Sequence, residues 1–534
     1  MQRRDWLILT GAALAGRRFG RAATLFDVRA RGAAGDGKSK DTAKIQSAVD
    51  ACAAAGGGTV YLGPGTYLSG TIVLRDNVTL HLESGATLLG STDLDDYLPQ
   101  PGPSPTADAN TRHLLFARDA ANVTVRGLGR IDGQGKTFWA PSGRVPPKPE
   151  DAWRDVATYD WKALARPSPM VEFFNCKNLV LEDVTLANAA GWTLRPIECD
   201  GVTIRGIKIR NPIIGPNTDG IDVVCSRNVF ISDCDISTGD DAICLKSADD
   251  YGRLGLTKNI TITNCVLTCC CNGLKLGTQT KGGFENITFS NSVIYNDDVP
   301  LNARVISGIA IEMVDGGWVD GVVVSNIRMQ RVRTPIFVRL GARRGTGRLR
   351  SVMIENVHAT GAILTSSITG IPGYEVEDVT LSGIRIDTEE AGQAAWTTRP
   401  IPEQIPNYPE ARMFGRLPAY GLYCRHVRGL SLDRVHVETR QPDERPAVHC
   451  EEVSEVRIDG LDAAAPSAAQ PLIRMVNVRD ALLTGCHAPA KTSLVLSAEG
   501  ERSAAIHLAA NDFSQADKVY EVRSGAAEGS VTLH

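Results

Sequence analysis

The sequence predicts an all-β chain wound as a single-stranded parallel β-helix, closed at its start by an N-terminal capping helix. Three observations predict it. A seven-residue unit recurs, opening on a polar residue or glycine and carrying apolar residues at its second, fourth and seventh places. Such a unit is too short to bury its own apolar face, so stacked units must share a core. The 52 glycines among 534 residues supply the many tight turns that a coiled chain requires.

Taken in order, residues 1–23 read as an address. Arg3-Arg4-Asp5-Trp6-Leu7 precedes an apolar stretch from Leu7 to Ala15, and Ala22-Ala23 follow. This pattern resembles a twin-arginine export signal cleaved near Ala23, so an exported chain, periplasmic or secreted, is expected. Residues 24–534 are then one β-helix domain whose cap occupies about 24–70. Asp41-Thr42 starts a helix with Ile45, Val49 and Cys52 on one face, and Gly56-Gly57-Gly58 ends it. The triple glycine follows a helix instead of opening one, which argues against a phosphate loop.

The units begin at Asn122, Asn178, Gly201, Asn228, Asn259 and Asn286, and continue from Gly321, Ser351, Asp378, Gly429, Glu455 and Asp480. Alternation followed by a one-residue offset describes a strand, a corner and the next strand; a helical period does not fit. Repeats run to about residue 490. Gly135 to Pro169 carries no repeat, holds Trp139, Trp153, Tyr159 and Trp161, and is expected to project as a loop.

A net charge of −4 and a pI of about 6.2 give no basic field for nucleic acid. No apolar run approaches the about 18–20 residues of a membrane-spanning helix. A soluble monomer with neither nucleic-acid nor membrane partners is expected. The thirteen cysteines are odd in number. Cys234, Cys265 and Cys486 fall at the seventh place of their units, where others carry Leu, Val or Ile, and so read as small buried hydrophobes. Cys269-Cys270-Cys271 lacks paired C-x-x-C spacing, and Asp249-Asp250 lacks a ligand series and reads as a solvated turn. Neither metal nor cofactor is expected.

The chemistry lies on the strand after the first corner. Asp219-Gly220-Ile221-Asp222, Asp241-Ala242-Ile243-Cys244, Asn272-Gly273-Leu274-Lys275 and Ser307-Gly308-Ile309-Ala310 occupy equivalent places. Rungs about 4.8 Å apart stack Asp219 beside Asp241, with Asp240 and Asp222 close by and Lys275 one rung on. Like charges so near cannot all ionise freely, and one raised with one ordinary carboxyl is the division of labour for acid and base. Trp192, near the acidic coils, is a candidate for stacking on sugar.

These residues resemble a known family. Asn217-Thr218-Asp219-Gly220, Gly239-Asp240-Asp241 and Gly129-Arg130-Ile131-Asp132-Gly133-Gln134-Gly135 look like the N-T-D-G, G-D-D and preceding phrases of the polygalacturonases, glycoside hydrolase family 28. The chain resembles a divergent bacterial-type member over residues 25–460. The resemblance implies a right-handed coil that hydrolyses pectic poly- or oligosaccharides with inversion. It makes Asp240 the general acid, while Asp219 and Asp241 hold and deprotonate water. Asn217, Asp222, Asn272, Lys275 and Trp192 are the expected substrate contacts.

Two departures stand out. The family's G-H-G is Cys271-Asn272-Gly273, and its carboxylate-gripping R-I-K is Ala310-Ile311-Glu312. A rhamnogalacturonan-type or side-chain linkage, or exo action in a blocked groove, follows from the altered residues. Lys275, Lys246 or Arg339 is left to supply a replacement cation, unless Arg339 pairs with Glu312 one repeat away. Two other readings stay open: a catalytically silent carbohydrate-binding solenoid, and a pectate-lyase-like eliminase.

Overall fold

The computed structural model describes residues 24–100 and 111–534, and the expected export signal lies outside them. The chain is a right-handed parallel β-helix. Thirty-nine strands join in one continuous sheet, and each pairs with the strand one coil away. In one wall, Lys177–Glu182, Asp200–Arg205, Arg227–Ser232 and Thr257–Thr263 follow one another in register.

The corner residues explain why the units begin as they do. All twelve unit starts, from Asn122 to Asp480, have φ between 53° and 81°. A side chain in this left-handed region is strained, and asparagine and glycine tolerate it best. The asparagines also bond to one another: Asn259 Nδ2 donates to Asn228 Oδ1 at 3.0 Å, and Asn286 Nδ2 to Asn259 Oδ1 at 3.0 Å. After each corner the apolar positions turn inward, and one core runs from Val28 to Val531. All thirteen cysteines are buried and free of disulfides, as the hydrophobe reading requires.

Helix Thr42–Ala54 plugs the first coil with Ile45, Ala48, Val49 and Cys52. Asp41 precedes it but does not cap it with its side chain. Its carboxylate turns back to accept from Ala34 N at 2.7 Å and Gly35 N at 2.9 Å. Coils continue past residue 490 to Val531–Leu533, because Ala504–Ala509 supplies a further edge for pairing. No described helix is long and apolar enough to cross a membrane.

The stretch expected to project does not. Residues 135–169 lie against the coils, with Trp139 and Trp153 buried. Trp139 Nε1 donates to Ala190 O at 2.7 Å, and buried Arg333 donates to the carbonyls of Trp153 and Asp155. Those backbone groups satisfy a cation that packing has removed from water. A second irregular stretch, residues 389–421, lies over the same side of the solenoid and shares an apolar cluster with Val156 and Ala157.

Candidate active site

Three consecutive rungs build the site. Strands Ile221–Val224, Ile243–Ser247 and Asn272–Thr280 pair through Ile221↔Ile243 and Ile243↔Leu274. Two residues before each partner stand Asp219, Asp241 and Asn272, so the register stacks them as the sequence alignment requires. Two glycines make that stacking fit. A Cβ on Gly220 would lie 2.4 Å from Ala242 O, and one on Gly239 would lie 2.3 Å from Gly215 O. Thr218 ties the two turns together: its hydroxyl donates to Gly215 O and accepts from Gly239 N, both at 3.0 Å. The glycines and the threonine of both phrases thus have a local role, since they let the two acidic turns touch.

Charges are arranged unequally. Asp241 Oδ1 accepts from Asn272 N at 3.0 Å and Asn272 Nδ2 at 2.7 Å, while Lys275 Nζ sits 3.1 Å from Oδ2. Three donors therefore compensate one carboxylate. Burial, followed by the neighbouring charge of Asp241, pushes the Asp240 pKa up to about 7. Burial, with the charges of Asp240 and Asp222, holds Asp219 well above the usual carboxylate range. Burial is the largest influence on Lys275 and opposes its charge, but Asp241, Tyr408 and Glu312 together outweigh it and keep the ammonium well above its ordinary pKa. The arrangement offers a proton on Asp240 beside a held carboxylate on Asp241.

The two lysines are embedded among acids. Lys246 bonds to Asp222 and lies 3.5 Å from Asp219 Oδ2. Its Nζ is 4.0 Å from the centre of the Trp192 ring. Asp222 has no exposed surface, so it anchors Lys246 from below. Asn272 is likewise behind the wall, aimed at Asp241. Asn217 reaches the cavity from a left-handed φ of 52°, with Oδ1 accepting from Arg166 Nη2 at 3.2 Å. Of the expected substrate contacts, Asn217, Trp192 and Lys275 line a cavity of about 690 Å³ together with Asp219, Asp240 and Asp241.

Two expectations change. Arg339 does not pair with Glu312, although the two are register neighbours. Its guanidinium donates instead to Gly370 O at 2.8 Å and Glu403 O at 2.7 Å. Glu312 faces Lys275 at 3.7 Å, its two oxygens otherwise unbonded, and burial pushes its pKa up to about 8. Asp250 is not in a solvated turn either: it pairs with buried Arg195. The fixed carbonyls and the buried guanidinium offer better partners than the sequence spacing suggested.

Sequence reasoning missed Tyr408 and Arg343. Tyr408 Oη accepts from Lys275 Nζ at 3.1 Å across 133 residues of chain, and Arg343 is held by Asp315 beside it. Tyr408 lies in a stretch without a repeat, so no pattern marked it. Arg343 sits at a strand end that the family comparison of R-I-K does not reach. Asp240, Asp241 and Cys271 bring one donor atom each within 4.8 Å of the others, the one such trio among the described residues. Lys275 already supplies a cation to that trio.

Comparison with known proteins places the chain in a family. The family model described as rhamnogalacturonase A/epimerase, pectate lyase-like, matches residues 25–129. A probable polygalacturonase of Vitis vinifera is 26% identical over 394 residues, covering 68% of this chain and 75% of that one. An endo-polygalacturonase of Pectobacterium carotovorum subsp. carotovorum is 28% identical over 307 residues, covering 56% and 72%. The exopolygalacturonase of Thermotoga maritima superposes with a TM-score of 0.56 at 23% identity, over 69% of this chain and 87% of that one, a likeness of fold. The model for glycosyl hydrolases family 28 matches residues 87–402, more than half of the chain, and this chain belongs to that family of enzymes.

Proposed function

We propose that the protein hydrolyses glycosidic bonds of pectic poly- or oligosaccharides in one displacement, with inversion. Asp240 gives its proton to the leaving oxygen. Asp241 takes a proton from the attacking water, and Asp219 helps to hold that water. Charge moves from Asp241 to Asp240 during the step, and Lys275 and Lys246 keep the field of the site balanced. The observation that carries this reading is the contrast between adjacent carboxyls: Asp240 raised to about 7 by burial and Asp241, and Asp241 itself gripped by three donors. Family membership and the polygalacturonase relatives support the pectic substrate. Action outside the cytoplasm accords with those substrates and with the twin-arginine pattern at residues 1–23.

The test is a panel of homogalacturonan, rhamnogalacturonan and their side-chain oligosaccharides, offered to the protein and to Asp240→Asn. Hydrolysis should give new reducing ends of inverted anomeric configuration, and the variant should be slower by about 10²–10⁴-fold with sugar affinity retained. An unsaturated product absorbing in the ultraviolet would mean elimination. Binding without turnover in the unaltered protein would mean a carbohydrate-binding solenoid.

A further inference from the structure

A polymer threaded along the solenoid needs exposed positions on rungs either side of the acids. The register names those positions. Beyond Lys275 the same column continues through Ala310, Phe337 and, two coils later, Tyr423. All three have no exposed surface, covered by Ile401, Ala411 and Phe414 of the second irregular stretch. That cover is fastened: Ala342 N donates to Ile405 O at 2.9 Å, and Arg425 Nη1 to Ile401 O at 2.7 Å.

The opposite direction is closed as well. Before Asp222 the column runs through Arg195, Glu172 and Phe116, all buried. Tyr251 lies over them, donating to Glu172 Oε1 at 2.6 Å and stacking on Phe174 at 4.0 Å between ring centres. Across the strands, the end nearest the acids is sealed where Val156 and Ala157 pack with Cys270, Cys271 and Ile306. Among the described residues only the far strand ends remain open, where exposed Asp249, Lys281 and Arg344 rim the cavity.

We infer that the site is a dead-end pocket that receives the terminus of a glycan, so that cleavage releases a short unit of fixed size from chain ends. This rests on the glycoside-hydrolase reading above and assigns its mode of attack. A chain interior would have to enter and leave, and the described residues leave it one mouth. The rest of the glycan extends past Asp249, Lys281 and Arg344, whose mixed charges suit a hydrated chain.

Two measurements test it. The first follows products from homogalacturonan and rhamnogalacturonan by chromatography and viscosity. One short product should dominate from the earliest time while viscosity falls slowly; an early ladder of mixed lengths overturns the inference and leaves hydrolysis standing. The second titrates Asp240→Asn with the same polymers before and after partial acid hydrolysis. Tenfold more chain ends per gram should give tenfold more binding sites per gram, and an unchanged number overturns the inference. End-dependent binding in a protein that hydrolyses nothing would uphold the pocket and sink the proposed reaction. Absence of both hydrolysis and binding on these polymers would overturn both.

Discussion

Asp240 and Asp241 are chain neighbours to which the proposed reaction gives opposite duties, and their surroundings differ accordingly. Asp240 is useful as an acid only while protonated. Its pKa of about 7 therefore predicts that activity falls as pH rises through about 7, the proton being lost from the free enzyme. A profile of kcat/KM against pH checks this, and a flat profile from 6 to 8 would contradict it. Asn272→Ala removes one of the donors on Asp241 and leaves the backbone N–H. A hydrogen bond to a charged group is worth about 1.5–3 kcal/mol, so kcat should fall by about 10–100-fold with KM little changed. Glu312 adds a stability effect of definite sign. Its pKa in the folded protein is about 8, above that of an unfolded chain, so stability is fullest at acid pH and is lost as pH rises towards 8. Glu312→Gln should melt closer to the unaltered protein at pH 5 than at pH 8, and above it at pH 8.

At the scale of the element, the corner explains what could be read in advance. Asn or Gly stands at eight of the twelve unit starts because it tolerates left-handed backbone best, so the repeat announces its own geometry in one dimension. Asn259 isolates the two contributions. Asn259→Gly loses both ladder bonds; Asn259→Ala loses them and also places a Cβ in the left-handed region. Alanine should be the less stable of the two by about 1–2 kcal/mol, measured from denaturation midpoints. The acidic rungs were legible for the same reason, because register turns sequence offset into stacking. What the sequence did not show was Tyr408 on Lys275, or Arg339 leaving Glu312 for carbonyls. Those contacts depend on irregular segments whose packing partners lie tens to hundreds of residues away. Residues 135–169 lack a period, which said that they leave the coil but not that Arg333 and Ala190 would pin them back onto it.

Over the whole molecule, function and stability lie on separate parts of one continuous core. The cap seals an end that would otherwise expose the first coil, so Ile45→Ala should cost about 2–5 kcal/mol while leaving kcat unchanged. Hydrogen exchange should then quicken first in the coils nearest the helix, and uniform quickening along the chain would argue for a single cooperative unit. The thirteen buried thiols, none of them in a disulfide, give the same question a chemical readout. Cys52 lies under the cap, nine lie between Cys176 and Cys271 in the central coils, and Cys424, Cys450 and Cys486 lie in the later ones, so a label on them reports on those three regions. An alkylating reagent should find the native protein almost inert, and each equivalent consumed in mild denaturant should mark a coil that has opened. Peptide mapping of the label would show where the solenoid begins to unzip, with no engineered probe anywhere in the chain.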